Sequence, residues 1–114
     1  MNLDIWAFVR VMVALEEAPP APPTTKLYQA WEQEWGEVDR QLAELADSDF
    51  DAYSDMMMNT QISLEMPAEG QETFVTIVRA LIADMKVKKQ AATDPQFQKD
   101  LKFEIDGLYA ILNA

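Results

Sequence analysis

The sequence predicts an all-α chain: a single-domain up-and-down bundle of about five helices, with an apolar N-terminal helix joined by a Pro-rich linker. Three observations carry that expectation. Apolar residues recur at helical spacing in separate stretches, proline and an Asp-Pro pair divide those stretches, and hairpin turn pairs flanked by alternating residues are absent, so no strand is expected. With 114 residues, 49 % of them apolar, and three Trp, the chain is one domain with material for a core.

The first helix is expected over about Leu3 to Glu17, apolar nearly all round. Such a helix needs cover on most of its faces, so it either packs on its own bundle or exchanges into a second protomer. Residues 18–25 form the linker. Four prolines in the five residues Pro19 to Pro23 favour extended polyproline II. Residues 26–114 then form a four-helix bundle. Its first helix begins after a cap at Thr24 or Thr25 and places Tyr28, Trp31, Trp35, Val38, Leu42 and Leu45 in steps of three and four, a heptad seam. Gly36 interrupts it. Ser48 and Asp51 resemble a capping box for the next helix, which runs to Pro67 with Phe50, Tyr53, Met57 and Leu64 on one face and Met58, Ile62 and Met66 on another. A helix with the seam Phe74, Val78, Leu81 and Met85 carries acids at its start and Lys86, Lys88 and Lys89 at its end, matching the helix dipole. Asp94-Pro95 marks the start of the last helix, with Phe97, Leu101, Ile105, Leu108 and Leu112 inward.

Charge is segregated. Residues 16–55 hold eleven acids and two bases, a net −9 out of −11 for the whole chain. A surface of one sign asks for a partner of the other. Direct binding to nucleic acid or to an anionic membrane face is therefore not expected. The longest apolar stretch, Ile5 to Leu15, is broken by Arg10 and falls short of the roughly 20 residues that span a bilayer. Met1 to Asp4 lacks the basic region of a secretory signal, and a cytoplasmic protein is expected.

With neither Cys nor His, the chain has no disulfide, thiol nucleophile, zinc-finger ligand set or imidazole base. No cofactor, metal or catalytic residue is assigned. Asp47, Asp49, Asp51 and Asp55 are spaced like half of a calcium loop, but Ala52 stands where glycine is required and Met58 where a bidentate Glu is required. These acids are read as helix-capping and solvated. Pro19-x-x-Pro22 and Pro20-x-x-Pro23 match a polyproline ligand but lack an adjacent Arg, so a stiff spacer is the simpler role. Met56 to Met58 cannot all face one core, since successive helical residues turn by about 100°. Trp31 and Trp35 are expected in the bundle core, and Trp6 at an interface.

The expected function is a non-enzymatic acidic interaction module that binds a basic surface on another protein, as an inhibitor or nucleic-acid mimic does. The residues expected to carry it are Glu32, Glu34, Glu37, Asp39, Glu44, Asp47, Asp49, Asp51 and Asp55. The alternative is a homo-oligomeric structural protein, a homodimer for instance, using the N-terminal helix through Ile5, Trp6, Phe8, Val9, Met12 and Val13.

Overall fold

The computed structural model describes residues 1–113, and the fold is all-α. In chain order it comprises β1 (Asn2–Asp4), α1 (Ile5–Glu17), α2 (Pro22–Ser48), α3 (Phe50–Asn59), β2 (Gln61–Ser63), a 3-10 turn at Ala68–Gly70, α4 (Gln71–Ala91) and α5 (Pro95–Leu112). Five helices occur where five were expected, but three local features differ.

The first difference is a short antiparallel ribbon where no strand was expected. Asn2 pairs with Ser63, Leu3 with Ile62 and Asp4 with Gln61. The pairing extends at both ends: Leu64 N–H donates to the Met1 carbonyl at 2.8 Å, and Ile5 N–H to the Thr60 carbonyl at 2.9 Å. Three residues per strand leave too little alternation to read locally.

The ribbon also explains the second difference, that α3 ends at Asn59 and not at Pro67. Leu64 leaves the helix and is buried beside the ribbon, while Phe50, expected to face inward, is 69 % exposed. The α3 cap is Asp49, whose side chain accepts from Ala52 N–H at 3.1 Å. Ser48 instead donates to the Glu44 carbonyl one turn back, so the Ser48–Asp51 capping box does not form.

The third difference is that α2 begins inside the Pro-rich stretch. Pro22 and Pro23 occupy its first turn, where a missing N–H costs nothing, and neither Thr24 nor Thr25 serves as cap. The extended segment shrinks to Ala18–Ala21.

α1 sits at the centre. Ile5, Trp6, Ala7, Phe8, Val11, Met12 and Leu15 are all buried, and α1 touches α2, α3, α4 and α5. Edge-to-face aromatic contacts join it to α2, Phe8 to Trp31 at 6.1 Å and Phe8 to Trp35 at 5.9 Å between ring centroids, and Trp31 continues the cluster to Phe74 of α4 at 5.7 Å. The buried Trp31 indole donates to the Glu65 carbonyl at 2.7 Å, so its polar edge is satisfied. Phe74, Val78, Ile82 and Met85 of α4 and Leu101, Ile105 and Leu108 of α5 complete the core.

Candidate functional site: the acidic face of α2 and α3

The heptad seam of α2 turns Leu27, Trp31, Val38 and Leu42 into the core, which leaves its acids on the outer face. At 100° per residue they separate into two rows. Glu32 and Asp39 fall along one row, seven residues or about 10 Å apart along the axis, and Asp47 stands about 12 Å beyond Asp39 and about 80° further round, between the two rows. All three are exposed and none forms an ion pair among the described residues. Glu37 and Glu44 fall along the other row, and Arg40 bridges them at 2.5 and 2.8 Å.

Hydrogen bonds from Arg40 and Gln41 hold the Glu37 carboxyl below the usual carboxylate range. Glu37 in turn raises the Arg40 guanidinium above its ordinary value. Both groups are fully charged at neutral pH and largely cancel. A depressed carboxyl is also the opposite of what a general acid requires. Glu34 lies nearer the core edge, half-buried, with Oε2 hidden and without a hydrogen-bond partner.

The acids at the α2–α3 corner do separate work. Asp49 caps α3 and Asp51 lies in its first turn, where the helix dipole favours negative charge. Asp55 accepts from the Asn59 amide at 3.0 Å. Asp47 differs, because it occupies the last turn of α2, where the dipole disfavours an anion. Nothing in the fold rewards a carboxylate there. Among the described residues no group of three acidic side chains is gathered as metal ligands.

One acid of the first helix joins this face. Glu16 accepts from the Tyr28 hydroxyl at 3.1 Å and from the Trp35 indole at 2.9 Å. Desolvation, then Glu16 and Glu32, push the Tyr28 hydroxyl above its ordinary value, which places both carboxylates near one phenol. Proximity of Glu16 to Glu32 depends on how sharply the chain turns between α1 and α2, and no spacing rule in the sequence encodes it.

The residues expected to form an oligomer contact are placed mainly inside the single chain. Ile5, Trp6, Phe8 and Met12 are buried in its own core, Val9 is half-buried, and Val13 is 39 % exposed. Most of the apolar circumference of α1 is thus covered in cis, and Trp6, expected at an interface, is 3 % exposed. Met56 and Met57 pack partly against the core while Met58 faces solvent.

No helix among the described residues is long and apolar enough to cross a membrane. No protein-family model matches the chain, and no curated protein or solved structure resembles it significantly.

Proposed function

We propose that this chain is a non-enzymatic interaction module whose α2–α3 face engages a basic surface on a partner protein. The observation that carries the reading is the set Glu32, Asp39 and Asp47 on the outer side of α2: exposed carboxylates without ion-pair partners among the described residues, one of them against the helix dipole. Charge that neither caps a helix nor pairs internally is available to a partner, and it steers association before contact.

Magnitude limits how far the likeness to nucleic acid goes. Duplex DNA carries a charge every ~1.7 Å of axis. The 27-residue α2 is about 40 Å long and holds six acids against Lys26 and Arg40, a net of −4. That is about one charge per 10 Å, several-fold sparser than a duplex. The face suits a few basic side chains at matching spacing, as on an inhibitor's target, better than a groove built to wrap DNA.

The test is affinity for an oligolysine peptide, measured by calorimetry with two triple variants of equal net charge. Glu32→Gln, Asp39→Asn and Asp47→Asn together are expected to weaken binding at least about tenfold, a change of ~1.4 kcal/mol. Glu72→Gln, Asp84→Asn and Asp100→Asn together are expected to weaken it far less. Equal losses in the two variants, or an affinity indifferent to salt, would remove the basis for the reading.

A further inference from the structure

We propose that the cleft between α4 and α5 is a binding site for an anionic amphiphile, a carboxylate-headed molecule with an apolar tail. The cleft measures about 600 Å³, within the usual size range of small-molecule sites. Val75, Ile82 and Leu112 supply apolar walls, and Arg79, Lys86 and Tyr109 supply the polar rim.

This cleft combines unpaired cations with apolar walls and no acid, whereas the neighbouring groove that shares Lys86 is lined by Lys89, Lys102 and Asp106. Arg10, Lys26, Arg40, Lys88 and Lys102 each lie within ion-pair distance of a carboxylate. Arg79, Lys86, Lys89 and Lys99 have no such partner among the described residues, although the chain carries a net charge of −11, and of these four Arg79 and Lys86 line this cleft. These two are seven residues apart, two helical turns, and so project from one side of α4. No acidic residue lines the cleft they flank. By contrast, the cleft beside Trp6 sets Arg10 and Lys88 against Glu17, Asp84 and Glu104 and leaves no net positive charge.

The Lys86 ammonium is also held in place. It donates to the Tyr109 hydroxyl and lies 4.9 Å from the centroid of that ring. A fixed cation beside a desolvating wall is a better partner for a carboxylate than a freely moving surface lysine. Arg79, two turns earlier on α4, lines the same cleft and offers paired donors to an anion bound there. The apolar walls call for a hydrocarbon tail and distinguish this ligand from a bare inorganic anion. The site is separate from the acidic face of α2, and either assignment can fail without the other.

The experiment is calorimetric titration of the full chain with decanoate and, as a tail-matched control of opposite charge, decyltrimethylammonium. Saturable one-to-one binding of decanoate below about 1 mM is expected, with the cation binding at least about tenfold more weakly. Arg79→Gln and Lys86→Gln, both at exposed positions, are expected to keep the circular dichroism of the parent chain and each to weaken decanoate about tenfold. Three results would overturn the proposal: no saturable binding of decanoate, equal binding of the two amphiphiles, or unchanged decanoate affinity in the folded double variant.

Discussion

Gly36 and Gly107 both lie inside helices, where glycine costs about 1 kcal/mol relative to alanine. Their surroundings are opposite. A Cβ at Gly36 would meet nothing within 4 Å, whereas a Cβ at Gly107 would lie 2.7 Å from Cζ2 of Trp6. Gly107 lets the Trp6 ring rest on the backbone of α5, and α1 owes its close approach to that gap. Gly36→Ala is therefore expected to stabilise the chain by about 0.5–1 kcal/mol. Gly107→Ala is expected to destabilise it by about 1–3 kcal/mol, because a buried ring must shift. Urea unfolding of the two variants measures both signs. Two glycines look alike in the sequence as helix interruptions; only the placement of Trp6 separates them. Trp6 itself shows what burial costs, since its indole N–H is buried without a partner while that of Trp31 finds one.

At the level of elements, legibility followed whether the deciding force was local. The bounds of α4 and α5 are legible because their signals are local: Asp94 accepts from Gln96 N–H at 3.0 Å, Pro95 opens α5, and lysines close α4. Phe97, expected inward, is nonetheless 46 % exposed because the first turn of α5 extends past the core, and Ile82 is buried where Leu81 was expected. The end of α3 was not legible, because it is set by β1, some sixty residues earlier in the chain. The start of α2 was hidden by proline itself, which reads as a breaker yet is tolerated in a first turn. The corner between α2 and α3 offers a direct check. Asp49→Ala, which removes a formed cap, is expected to cost about 0.5–2 kcal/mol. Ser48→Ala, which removes only a back-bond to Glu44, is expected to stay within about 0.5 kcal/mol. Thermal unfolding of the pair distinguishes them, and the reverse order would restore the capping box to Ser48.

Across the whole molecule, the acidic segment was legible as a charge imbalance, and the α2 seam told which side faces out. Its internal sorting was legible only in part. Glu37 and Glu44 stand three and four residues from Arg40, the spacings of helical ion pairs, whereas the entry of Glu16 follows from the turn between α1 and α2. The central place of α1 makes it a structural keystone in this chain, with seven buried residues contacting four other helices. Removing residues 1–17 is expected to abolish cooperative unfolding, since deleting several fully buried large side chains costs about 2–5 kcal/mol each against a total stability of roughly 5–15 kcal/mol. Circular dichroism melts of the truncated chain would show it, and a cooperative transition at the parent temperature would contradict the placement of α1.

That same helix sets a schedule for biosynthesis. α1 leaves the ribosome before the helices that cover it, α2, α3, α4 and α5, which end at Ser48, Asn59, Ala91 and Leu112. At about 5–20 residues per second, several seconds separate the emergence of α1 from that of α4. For that interval Trp6, Phe8 and Met12 have no complete partner surface. A nascent chain with this layout presents an apolar helix at the exit tunnel until α4 and α5 have followed it.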